Sequence, residues 1–254
     1  MRVIISPAKR MRRDEDSLPW LDLPRFLPQA EQLMEALRQM TPEQLRHLWR
    51  CNAAIAAENV ERLRAMDLRR HLTPAVLSFD GIQYQYMAPG ALEEKHLAFL
   101  QEHLRILSGF YGVLRPFDGV APYRLEMQAK LSVSGSRDLY AFWGSRLAEA
   151  LARETDWILN LASREYSRAV SPFLPSSTRF LTCVFGEKLE GRIVEKGTLC
   201  KMARGRMVRW LAAEGIRRPE AVRDFQELGY RCSPEESSAD CLVFLRGSGA
   251  TPAR

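Results

Sequence analysis

The 254-residue chain predicts a single α+β domain with a mixed sheet flanked by helices, and three observations carry that expectation. Short β-branched or apolar runs, "RVIIS", "DWILNL" and "RFLTCVF", read as buried strands. Longer amphipathic stretches of helical period lie between them, without a regular strand–helix–strand rhythm. No repeat and no linker of domain-boundary composition interrupts the chain, and 46% hydrophobic residues suffice for one sizeable core. One domain over 1–246 is expected, with 247–254 as a frayed tail.

Taken in order, "RVIIS" is a strand that ends in Ser-Pro and leads into a basic loop, "SPAKRMRR". Helices are expected over roughly 29–40 and 42–65. Thr41-Pro42-Glu43-Gln44 supplies the second with an N-cap, a proline at its first position and an amide in its first turn. "VLSFDGIQYQYM" reads as a strand, a Phe-Asp-Gly turn and an aromatic continuation. "LEEKHLAFLQEHLRILSG" reads as a helix with Leu97, Leu100, Leu104 and Leu107 on one face and Gly109 closing it. "RDLYAFWGSRLAEALARE" reads as another helix. A strand over 157–161, a hairpin around "GEKLEG" and a basic helix ended by Gly215 follow, and 241–246 alternates as a final strand.

Composition limits function. Thirty-seven Lys and Arg against 31 acids give a formal charge of +6, which favours an anionic partner such as nucleic acid. No stretch reaches the roughly 18–20 apolar residues of a membrane span and the N-terminal apolar run is short for a signal, so a cytosolic protein with no membrane partner is expected. Five cysteines without a C-x-x-C spacing suit a reducing compartment. The four scattered histidines give no case for a metal site, and no cofactor is indicated.

Four stretches place charged or amide residues among small or apolar ones: "SPAK", "PYRLEM", "NLASREY" and "KMARGRM". Two follow predicted strands, where the loops of open sheets carry ligand groups. If they converge, Lys9, Arg124, Lys201 and Arg204 are anion contacts, Asn160 and Ser163 hydrogen-bonding groups, and Glu126 and Glu165 carboxylates for acid–base work. On the basic helix, Lys201, Arg204, Arg206 and Arg209 span an arc of about 200° at 100° per residue. Taken singly, each stretch reads equally as a solvated loop or helix face.

The order "ISPAK", "HLRILSGFYGVLRPFDGVAPYRLEM", "NLASREY", "KMARGRMVRW" and "ELGY" resembles the YaaA family of bacterial peroxide-stress proteins, formerly an uncharacterised family, from Met1 to about Leu245. The resemblance implies a cytosolic peroxide-stress protein that limits free-iron damage and binds DNA through a basic cleft, on a family-specific fold with a helix-hairpin-helix element. Carried over by residue, it points to Lys9, to Arg105 with the Gly109–Gly112 hairpin, to Tyr123, Arg124 and Glu126, to Asn160 and Ser163, and to Lys201 with Arg204. The bottom-up reading of "LRILSGFYGVLRP" leaves two alternatives. It is a hairpin-like phosphate contact, or a helix end leading into buried structure, since Pro116 stops any second helix early.

Two functions follow. The first is sequence-independent binding of double-stranded DNA through Lys9, Arg105, Arg115, Lys201, Arg204, Arg206 and Arg209. The second is an enzyme on a small anionic or nucleoside-like substrate, with Glu126 or Glu165 as acid or base, Lys9 and Lys201 on the anion and Asn160 orienting the reacting group. A closed pocket around the carboxylates favours the enzyme and an open basic groove favours DNA.

Overall fold

The computed structural model describes residues 1–247. Of the expected 247–254 tail, all but Gly247 lies outside the described residues. The frame is an eight-stranded mixed sheet built from β1 (Arg2–Ile5), β2 (Leu104–Ser108), β3 (Gly112–Leu114), β4 (Trp157–Asn160), β5 (Arg179–Leu189), β6 (Arg192–Val194), β7 (Tyr230–Cys232) and β8 (Cys241–Arg246). Its order is β7-β8-β5-β4-β1-β2-β3, with β6 paired to β5.

The strands β2, β1, β4, β5 and β8 run parallel, and β3 and β7 close the two edges antiparallel. Parallel strands covered on both faces read as continuous apolar runs, and Val3, Ile4 and Ile5 of β1 and all five residues of β2 are buried accordingly. The sheet is mixed and flanked by helices, as the sequence predicts, and its parallel connections are irregular in length, with roughly a hundred residues between β1 and β2.

Those residues carry α1 (Leu27–Arg38), α2 (Pro42–Leu48), α3 (Ala53–Arg64), α4 (Ile82–Met87) and α5 (Glu94–His103). The Thr41 box forms as expected: Gln44 N–H donates to Thr41 Oγ1 at 3.3 Å, and Thr41 N–H donates to Gln44 Oε1 at 2.8 Å. The helix expected over 42–65 is two helices, because Asn52 takes extended backbone and caps α3 by accepting from Ile55 N–H at 2.9 Å. Of the strand expected in "VLSF", Ala75–Ser78 is a helical turn and only Phe79–Asp80 is extended, and the aromatic continuation after Gly81 is helical (α4).

The chain continues through α6 (Leu139–Trp143), α7 (Arg146–Ala152), α8 (Arg164–Ser167) and α9 (Gly197–Ala213). Gly144, with φ of 49°, separates α6 and α7, which the sequence pattern merges into one helix. The hairpin joining β5 to β6 turns at Glu190-Gly191, both at positive φ (49° and 76°), as a two-residue type I′ loop requires.

The largest correction falls on "LRILSGFYGVLRP". The helix stops at His103, Leu104 to Ser108 form the fully buried β2, and the chain turns back at once into β3, with Ser108 opposite Gly112. No helix-hairpin-helix exists in this segment. Ser108 Oγ accepts from the N–H groups of Phe110 (3.1 Å) and Tyr111 (2.8 Å), so these hairpin amides are satisfied internally and offer nothing to a phosphate. Both rings are buried. Helical spacing of leucines loses here to strand pairing with β1.

Arg105, expected as a DNA contact, is buried beneath this sheet. Its Nε donates to Glu154 Oε2 at 2.8 Å, its Nη2 lies 2.7 Å from the same oxygen, and Arg2 joins that carboxylate at 3.0 Å. Burial pushes the Glu154 carboxyl up, but Arg105 and Arg2 outweigh it and hold the group below the ordinary carboxylate range. Glu154→Ala leaves this guanidinium buried without its partner and should cost about 3–5 kcal/mol in urea unfolding. Because the folded pKa lies below the unfolded value of about 4.3, the contribution is complete above that pH and is lost as pH falls through the folded value. The stability gap between wild type and variant should therefore narrow below about pH 4.3.

Candidate functional site

In open parallel sheets, ligands sit beyond the carboxyl ends of the strands, where the order reverses. Here the chain goes from β1 to β2 on one side, then returns to place β4 on the other side of β1. The loops leaving β1 and β4 diverge at that point, and they are the two strand-end loops singled out in the sequence. They are tied together: Ser163 N–H donates to Ser6 Oγ at 2.8 Å and the two hydroxyls lie 3.2 Å apart. Tyr84 from α4 donates its hydroxyl to the Ser6 carbonyl at 3.0 Å.

Two further segments complete a cleft of about 380 Å³. One wall is α9 packed on α4. A Cβ on Gly205 would stand 2.1 Å from the Gln83 carbonyl oxygen, so only glycine permits this approach. It sets Lys201 and Arg204 beside Gln83. The other wall is the extended segment 122–127, held by the β2–β3 turn. A Cβ on Gly109 would stand 2.7 Å from the Leu125 carbonyl oxygen, and Tyr123 shares a 2.7 Å hydrogen bond with Ser108. The β2–β3 hairpin thus positions Arg124 and Glu126.

Within the cleft, Lys9 Nζ lies 2.9 Å from Glu126 Oε2, and Arg124 Nη2 lies 3.9 Å from the other carboxylate oxygen. Glu165 Oε1 accepts from Gln128 N–H at 3.3 Å. Burial, with the charge of Glu126 adding to it, pushes the Glu165 carboxyl above its ordinary range, against the opposing pull of the Gln128 N–H. The two carboxylates are therefore unlike: one is paired with a lysine, the other is pushed above its ordinary range by burial. Tyr84, Tyr123, Tyr166, Ile82 and Leu125 supply apolar lining. A larger and shallower groove beside α2 is lined by none of the residues picked out from the sequence.

The structure thus brings together Lys9, Tyr123, Arg124, Glu126, Ser163, Glu165, Lys201 and Arg204. It places the other candidates elsewhere. Asn160 does not line the cleft: its Oδ1 accepts from Ala162 N–H at 2.9 Å and its Nδ2 donates to Thr182 at 3.3 Å, shaping the loop after β4. Arg115 is engaged with Asp22 (2.9 Å) and Asp118 (3.0 Å), and Arg206 with Glu227 (2.5 Å). Arg209 donates to the carbonyls of Met87 and Ala88, closing α4. Gly112, with φ of 75°, serves the hairpin. The sequence reading missed Gln83 and Tyr84, because "DGIQYQY" offers no signal until α4 is seen against α9, and it did not single out Arg10 within the basic loop after β1.

Burial pushes the thiols of Cys183 and Cys200 above their ordinary range, and Cys200 donates to the Phe185 carbonyl at 3.2 Å, so both are structural. Among the described residues no group of three or more His, Cys, Asp or Glu could hold a metal ion, and no helix is long and apolar enough to cross a membrane.

With this geometry in hand, comparison with known proteins is decisive about kinship. The family profile described as peroxide stress protein YaaA matches residues 1–236. The chain belongs to the YaaA family. A UPF0246 protein from Lachnoclostridium phytofermentans is 49% identical over 247 residues, covering 97% of each chain. One from Pediococcus pentosaceus is 46% identical over 246 residues, covering 97% of this chain and 98% of its own. One from Limosilactobacillus reuteri is 46% identical over 245 residues, covering 96% and 98%. The YaaA match spans every segment that forms the cleft.

Gly205→Ala tests the architecture. The added methyl forces α4 off α9 and should cost about 1–3 kcal/mol or more in thermal unfolding. Gly197→Ala, whose Cβ meets nothing within 4 Å, should leave stability unchanged or slightly raised.

Proposed function

We propose that this YaaA-family protein serves in the peroxide-stress response by binding and transforming a small anionic, nucleoside-like molecule in the cleft at the sheet's switch point. The observation that carries the reading is the convergence of five separate segments on one concave site that holds Lys201 and Arg204 together with two unlike carboxylates. Lys201 and Arg204 hold the anion. Glu165, whose carboxyl burial pushes above its ordinary range, acts as general acid, and Glu126, 2.9 Å from Lys9 Nζ, acts as base. The site's volume suits a small molecule and its lining is mixed aromatic and charged, as ligand sites are.

Non-specific binding of double-stranded DNA is the second reading. It rests on the +6 charge and on Lys9, Arg10 and Lys201 exposed at the mouth of the cleft. Of the seven cations first assigned to DNA, Arg105, Arg115, Arg206 and Arg209 are engaged inside the fold.

A labelled random duplex titrated at several salt concentrations separates the two. Retained salt-dependent binding that Lys201→Ala/Arg204→Ala flattens and Glu126→Ala leaves intact would favour DNA. Under the small-ligand reading the duplex binds weakly, and small phosphates or carboxylates raise the melting temperature of wild type but not of the double variant. Protonating Glu165 removes a negative charge from the cleft. Affinity for such anions should therefore strengthen as pH falls through the region just above the ordinary carboxylate range, and Glu165→Gln should flatten that dependence.

A further inference from the structure

We infer that the cleft is built for a single nucleotide, with its phosphate against Lys201 and Arg204 and the edge of its base read by the Gln83 amide. The inference deepens the small-ligand reading and rests on it.

Buried polar groups in proteins are nearly always hydrogen-bonded, so those that are not need an explanation. Five buried side-chain atoms lack a partner among the described residues, and three of them, Gln83 Nε2, Arg124 Nε and Arg204 Nε, belong to residues of this one cleft. They come from three separate segments: α4, the extended 122–127 stretch and α9. All three are donors. A shared shortage of acceptors at one site points to a ligand rich in acceptors, as a phosphate and a base carbonyl or ring nitrogen are.

Gln83 is the informative member. The residue is only 7% exposed, and its Nε2 makes no hydrogen bond among the described residues although the residue lines the cleft. Its backbone is held by the Gly205 contact, so the amide is presented from a rigid support. A primary amide offers one donor and one acceptor side by side, the complement of a base edge. The carboxylates of Glu126 and Glu165 can accept from ring N–H or exocyclic amino groups on the facing side. The hydroxyls of Tyr84 and Tyr123 are tied to Ser6 and Ser108, which leaves their rings as flat apolar lining for a planar base. Lys201 and Arg204, one turn apart on α9, supply the charge a phosphate needs.

The nucleotide can arrive free or as a unit of a strand, and the chemistry of recognition is the same. Isothermal titration would use wild type, Gln83→Met and Lys201→Ala against the ribo- and deoxyribonucleoside monophosphates, inorganic phosphate and a short single-stranded oligonucleotide. The expected result is one or more nucleotides binding at least about tenfold tighter than inorganic phosphate. Gln83→Met should remove that advantage while leaving phosphate binding within about twofold, and Lys201→Ala should weaken both. If the oligonucleotide alone binds and Gln83→Met weakens it, the inference holds with a strand as the source. If phosphate or a small carboxylate binds but no nucleotide binds better, the nucleotide assignment falls and the small-ligand reading survives. If nothing binds, both fall. Melting temperatures accompany each variant. Should Gln83→Met fail to fold, Gln83→Glu serves instead, and nucleotide binding equal to wild type in the folded variant overturns the role given to Gln83.

Discussion

The structure depends on one constraint: β1 pairs in parallel with β2 on one side and with β4 on the other. Ile4 faces Arg105 across one ladder and Asn160 across the other, and Leu161 N–H extends the second by donating to the Ile4 carbonyl at 2.9 Å. A central strand flanked in this way sends its own loop and its neighbour's loop off the same end of the sheet in different directions. The gap between them is a consequence of strand order and needs no special residue to open it. What the residues do is line it, and the Ser6–Ser163 link keeps the two loops at a fixed separation.

Close backbone approach then turns the gap into a cleft. Gly205 lets α9 rest on the backbone of α4, and Gly109 lets the β2–β3 turn rest on residues 125–127. These backbone contacts place Gln83, Lys201 and Arg204 on one wall and Arg124 and Glu126 on the other. The buried aromatic turn "GFYG" is therefore a positioning element whose own polar groups are satisfied by Ser108 and by Ala121.

Two ion pairs show how burial divides structural from functional charge. The Arg105–Glu154 pair has little exposed surface and several hydrogen bonds, so breaking it leaves a charge that water cannot reach. Lys9 pairs with Glu126 through a side chain that is 66% exposed, and such a pair contributes only about 0–1 kcal/mol. A lysine that is easily displaced beside a carboxylate is suited to a site that must open to its ligand.

The sequence by itself determined the strand cores of β1, β4, β5 and β8, the Thr41 cap, the "GEKLEG" hairpin, the Gly215 stop and the family, because each is written in contiguous residues whose local physics has one answer. It also marked Lys9, Arg124, Glu126, Ser163, Glu165, Lys201 and Arg204, as polar groups set among small or apolar ones. Only the tertiary structure decided that these meet, that Arg105, Arg115, Arg206 and Arg209 are used inside the fold, and that Leu104 to Ser108 form a strand despite their helical spacing. It alone brought Gln83 to the site. The reason is physical: pairing, burial and backbone approach act between residues such as Ser6 and Ser163 or Gln83 and Gly205, which lie far apart along the chain, and no local periodicity records them.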